Sequence, residues 1–189
     1  MSSHSRVVWT EGLFLQPQHM QQQERRFEHL LAQHTAEHAP LSWGFAELEI
    51  DEPALALGKL VLNRARGTLP DGTRFDIPRT DPAPAPLDVP ADARDELVVL
   101  ALPLARTDAV DFDQDGDAAS MARHAIGEME VRDTTLPGER WAQIQIGQPR
   151  FRLLPTRRGI EGFVCLGVAH APGSLGLEIG DHLREQGVA

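Results

Sequence analysis

The chain has 189 residues, with 18 basic against 28 acidic side chains and a formal charge of −10 at pH 7. Such a balance repels phosphate backbones and anionic lipid, which argues against nucleic acid and against direct contact with a membrane. The single cysteine, Cys165, allows no internal disulfide, no secretory leader opens the chain, and no apolar run nears the roughly 20 residues that span a bilayer, so a cytoplasmic domain with one core is expected.

Residues 1–16 are expected to form an arm, because Val7, Val8, Trp9, Leu13, Phe14 and Leu15 alternate only loosely and need a partner surface. Pro17 then opens a helix over 17–38, its fixed φ suiting the first helical position, where a missing N–H costs nothing. Met20, Phe27, Leu30, Leu31 and His34 fall near one helix face, while Gln21, Gln22, Glu24, Arg25, Glu28 and Gln33 form a face that reads as solvated. With so few apolar residues, this helix belongs on a surface.

After Pro40 the sequence turns to short β-like segments spaced about ten residues apart, the pattern of an all-β sandwich or barrel. Ala46, Leu48 and Ile50 alternate with Glu47 and Glu49, as in a strand with one buried face. A strand within 58–69, the turn Leu69-Pro70-Asp71-Gly72-Thr73 and a strand over 74–77 predict a hairpin. Prolines 78, 82, 84, 86 and 90 keep 78–90 out of a sheet interior, leaving a crossover loop. Residues 96–105 are almost wholly apolar, as expected of a central strand.

The acidic stretch 107–120 reads as a mobile loop. Further strands are expected over 123–132, 141–147, 150–154 and 162–169. Trp141, Gln143 and Gln145 alternate there with Ala142, Ile144 and Ile146, predicting an antiparallel sheet with one wet side.

Chemistry has little to rest on. Asp111, Asp113 and Asp115 with Gly116 copy the start of an EF-hand calcium loop, yet Ala122 stands where the closing bidentate Glu belongs, so a solvated acidic loop is the stronger reading. His34 and His38 stand one helical turn apart, but no Glu-x-x-His pattern or third ligand accompanies them. Cys165 lacks the glycine two positions earlier that a nucleophile elbow needs, so a buried strand cysteine is expected, and His170 is its only conceivable base. No phosphate-cradling or dinucleotide glycine motif occurs, and no cofactor is expected. A small metal- or ligand-binding β-barrel is the alternative that these residues leave open.

Trp9, Glu11, Gly12, Phe14, Leu15, Pro17, Gln18, His19, Gln21 and Gln22 match the pattern W-x-E-G-x-F-L-x-P-Q-H-F-Q-Q, with Met20 replacing its aromatic residue. In this the chain resembles the TssK (ImpJ/VasE) family of type VI secretion baseplate subunits. Weaker echoes follow at Trp43-Gly44, at Pro70-Asp71-Gly72-Thr73 and over 97–104, although the family's proteins are more than twice this length.

The resemblance implies a mainly β chain, an antiparallel sandwich like the shoulder of phage receptor-binding proteins, with one N-terminal surface helix. It implies an arm over 1–16, a helix over 17–38, the shoulder over 39–180 and a tail over 181–189 leading to an absent neck. It further implies a non-enzymatic role: attachment to the TssF/TssG wedge and self-association as a trimer, with the TssJ, TssL and TssM membrane complex reached only through absent C-terminal parts. Since aromatic side chains dominate interface energies, the expected partner-binding residues are Trp9, Glu11, Leu13, Phe14, Leu15, Pro17, Gln18 and His19. The competing expectation is that the large ones cover the domain's own core.

Overall fold

The computed structural model describes residues 4–38, 43–90, 96–106, 108–117, 119–135 and 140–171. Helix α1 (Pro17–His38) precedes a β body. Strands β1 (Gly44–Ile50), β3 (Leu62–Thr68) and β4 (Arg74–Ile77) form one antiparallel sheet, in the order β1-β3-β4. A second sheet places β6 (Glu96–Pro103) between β10 (Arg152–Pro155) and β11 (Phe163–Ala171), again antiparallel. Leu60, Leu62, Ala65, Leu69, Phe75 and Ile77 join Leu100, Leu102, Phe151, Leu153, Leu166 and Val168 in one core. Each such large side chain contributes about 1.5–3 kcal/mol on leaving water.

The expected hairpin forms, with Ala65 opposite Ile77 and Thr68 opposite Arg74. Its turn is closed by Gly72 N–H donating to Leu69 O and by Asp71 Oδ1 accepting from Thr73 N–H, with Gly72 at φ 87°. The 96–105 run is the central strand it was expected to be, because β6 has a strand on each side. In β1 the expected alternation breaks at a register shift between Phe45 and Glu47, which leaves Ala46 exposed and brings Phe45 onto the core. The sequence reading also missed α2 (Glu52–Ala56), where Asp51 Oδ1 caps Ala54 N–H at 2.9 Å. The proline-rich stretch carries only β5 (Leu87–Asp88), paired with β2 (Lys59–Leu60).

A third sheet joins β7 (Phe112–Asp113), β8 (His124–Arg132) and β9 (Trp141–Pro149). The last two pair along all nine residues, while β7 adds two in parallel at the base. The expected dry side exists in pattern, since Met129 opposes Ile144 and Val131 opposes Ala142, but nothing among the described residues covers it. Met129, Val131 and Ile144 are therefore exposed, and Trp141, opposite Arg132 on the wet side, is exposed too.

Two arginine clusters fasten this sheet to the body. Arg123 places Nη2 2.7 Å from both Asp71 Oδ2 and Thr73 Oγ1, and Nη1 donates to Pro103 O. Arg150 Nη1 lies 2.9 Å from Asp113 Oδ2, its other amine donates to Asp117 O, and Arg152 donates to Ser120 O. The acidic stretch is thus no free loop at 111–120 among its described residues: its backbone carbonyls are occupied by guanidinium groups, which composition alone does not reveal.

A candidate protein interface on the arm and α1

Gly12, at φ 79°, shapes the turn in which Leu13 N–H donates to Thr10 O, and the chain then reaches Pro17, the first residue of α1. The ring of His19 organises that start. Its Nδ1 lies 3.0 Å from Gln16 N, where it accepts the backbone N–H, and its ring lies 6.1 Å from that of Trp9.

The arm then runs back along the helix. Gln22 Nε2 donates to Ser5 O at 2.9 Å, Arg26 donates to His4 O at 3.2 Å, and the rings of His4 and His29 stack at 3.9 Å. The half-buried residues of the first turns of α1 are accordingly His19, Gln22, Gln23, Arg26 and His29, with Ala32 following near Gly72. This reverses the usual arrangement of an amphipathic surface helix, which turns its apolar stripe inward. Met20, Phe27 and Leu31, at seven- and four-residue steps, stand on the outward side, with Leu31 68% exposed.

The expected partner-binding residues sit at the head of this module. Phe14 is 82% exposed and Trp9 51%, with Leu13 and Leu15 also exposed. Glu11 and Gln18 are exposed, Pro17 begins the helix and His19 is half-buried. None of Trp9, Leu13, Phe14 or Leu15 belongs to the core, so the expectation that they cover it fails. Sequence reasoning placed Met20, Phe27, Leu30 and Leu31 on one face and within the stretch 1–38 expected to form or border a partner surface, but did not name them among the partner-binding residues. Their stripe was legible; which face of α1 the arm takes was not.

Among the described residues the remaining candidates carry no reactive geometry. Asp113 is committed to Arg150, and its Oδ1 accepts Asp115 N–H at 3.2 Å, so the middle carboxylate of the calcium-like loop is spent on the protein itself. Among the described residues no group of three or more metal-ligating side chains converges. The side chains of His38 and His170, and all of 172–189, lie outside the described residues. Cys165 lies on β11 opposite Ala101, where burial pushes its thiol up to about 11. Iodoacetamide at pH 8 should therefore modify the native thiol at least about tenfold more slowly than the urea-unfolded one, since only the thiolate reacts.

Residues 19–171 match the model of a family known as bacterial type VI secretion, EvfL, ImpJ, VasE. The chain belongs to that family. It is 45% identical over 169 residues to the type VI secretion system baseplate component TssK1 of Pseudomonas aeruginosa, a match covering 89% of this chain and 38% of that protein. Of the solved structures similar to it, a crystal structure of TssK superposes with a TM-score of 0.83 at 34% identity, over 94% of this chain and 41% of that one. The TssK chain in a cryo-electron microscopy structure of the TssK-TssF-TssG baseplate subcomplex gives 0.77 at 25% identity, over 88% and 56%. This member of the VasE family thus spans about two fifths of TssK1. No described helix is long and apolar enough to cross a membrane.

Proposed function

We propose that this chain acts as the shoulder of a TssK-type baseplate subunit, a structural and non-catalytic role in the cytoplasm, and that its arm and α1 attach it to a TssF/TssG wedge. The observation that carries this reading is the outward apolar surface made by Phe14, Leu15, Met20, Phe27 and Leu31 on an element that docks through its polar side. Large contiguous exposed apolar surface marks protein–protein contact. The family membership and the likeness to a TssK-TssF-TssG subcomplex supply the partner. Trimer formation and the connection to a membrane complex belong, in this reading, to the full-length protein.

Co-expression with TssF and TssG, followed by affinity purification on tagged TssG, tests it. The wild-type chain should co-purify, while Phe14→Asp should be lost with its circular dichroism unchanged, because an 82% exposed ring contributes almost nothing to the isolated fold. Capture of Phe14→Asp at wild-type yield would place the contact elsewhere.

A further inference from the structure

All the described strands that stand at a sheet edge carry a protection against pairing with another chain, except one. In β1 it is Glu47, Glu49 and the shifts of register; β11 also shifts register, between Gly167 and Ala169. The edge strands β4 and β10 are four residues long and carry Arg74, Asp76 and Arg152, and β2, β5 and β7 have two residues each. β8 lies free beyond Ala125 on the β7 side but presents Glu128, Glu130 and Arg132. Short strands, charges and bulges are the means by which proteins guard an exposed row of backbone N–H and C=O groups. β9 has none of them. Its nine residues, from Trp141 to Pro149, include no ionisable side chain, its register against β8 is unbroken, and its only proline is the last residue. In the order β7-β8-β9 no described strand takes its other side.

The ribbon that β9 forms with β8 is incomplete in a second sense. Its base is fastened by Arg123 and Arg150, but residues 128–132 and 141–145 are exposed, with Met129 46% and Ile144 43% open to solvent on the uncovered apolar side. A two-stranded ribbon alone is marginal in water, and a further strand stabilises it.

The charge of the molecule limits what that strand is. Two copies of a chain of net charge −10 repel one another, and approach closely only where neither carries carboxylates at the contact. β9 is such a place, and its alternation matches its own reverse. Laid antiparallel on a second β9 with Ile144 on the two-fold axis, Ile144 faces Ile144, Ala142 faces Ile146 and Gln143 faces Gln145. Apolar then meets apolar on one side of the sheet, and amide meets amide on the other. Trp141, 58% exposed, falls opposite Gly147, beside the Phe112 ring that lies against that glycine. Gln148, whose side chain lies against Gly127, and Pro149, which has no N–H to donate, stay outside the pairing.

We propose that β9 pairs in this register with β9 of a second copy of this chain, joining the two ribbons into one four-stranded antiparallel sheet. The contact is isologous and closes at two copies. It is separate from the arm and α1, and from the trimer proposed for the full-length protein.

Analytical ultracentrifugation of the chain from about 1 to 200 µM reads the assembly, and a reversible equilibrium between monomer and dimer is expected. The double substitution Gln143→Lys/Gln145→Lys should raise the dimer dissociation constant at least about tenfold, because each lysine then faces a lysine across the axis. Within its own ribbon the same pair stands opposite Glu130 and Glu128, so the ribbon keeps its pairing, which unchanged circular dichroism verifies. Ile144→Cys in a Cys165→Ala background reads the register. Opposed Cα atoms lie about 4.5–5.5 Å apart, within reach of a disulfide, so mild oxidation should give a covalent dimer. Glu128→Cys, on the strand away from the axis, should give none. A chain that stays monomeric, a trimer, a dimer indifferent to the lysine pair, no covalent dimer from Ile144→Cys, or one formed as readily by Glu128→Cys would each overturn the proposal.

Discussion

Replacing Arg123 with methionine should lower the unfolding free energy by about 3 kcal/mol, read as a fall in the urea midpoint with the slope unchanged. The side chain is 8% exposed and joins three separate parts of the fold: the β3–β4 turn through Asp71 and Thr73, the end of β6 through Pro103 O, and the start of β8. Methionine keeps most of the volume but strands Asp71 beside a carbonyl without its donor. Removing one partner of a buried pair costs about 3–5 kcal/mol, and the lower end applies because Asp71 is partly open to water. Asp71→Asn should cost less, about 1 kcal/mol, since Thr73 and Pro103 O still receive the guanidinium. Equal losses from both substitutions would mean that the ion pair alone, and not the three-way junction, holds the turn.

The second large effect concerns binding. The double substitution Phe27→Asp with Leu31→Asp should leave the midpoint within about 1 kcal/mol of wild type, the cost of two poor helix formers on an exposed face. The same change should weaken capture by the TssF/TssG wedge at least about a hundredfold, because two anchors of about 2 kcal/mol each would be replaced by charges. Their four-residue spacing puts both side chains on one side of α1, together with Met20. A full-strength complex from this variant would confine the contact to the arm, where Phe14 and Leu15 remain.

Much of this architecture was legible from residue order alone, and the failures have particular causes. Alternation and turn chemistry found β3, β4, β8 and β9, because strands with one packed face or paired over nine residues keep a period of two, while an almost wholly apolar run found β6. Asp51-Glu52-Pro53 carries a helix-start signature, but α2 is only five residues long and was overlooked. The pinning of 111–120 depended on Arg150 and Arg152, some 30 positions away, a pairing that no local pattern encodes. At the candidate interface, the N-terminal signature pointed to Trp9 and Phe14, and the structure leaves both exposed. The orientation of α1 was not legible, since hydrophobic periodicity assumes that a helix buries its apolar stripe, and here the arm occupies the polar side through backbone carbonyls of His4 and Ser5.

Hydrogen–deuterium exchange of the chain alone and in complex with TssF and TssG tests the account most directly, because it maps the covered surface without altering a residue. The account predicts slower exchange over residues 5–31, greatest in the arm from Trp9 to Leu15 and in the first turns of α1, with β6 and its neighbours unchanged. A complex that forms while exchange over 5–31 stays as in the free chain, with protection appearing on another surface, would contradict it.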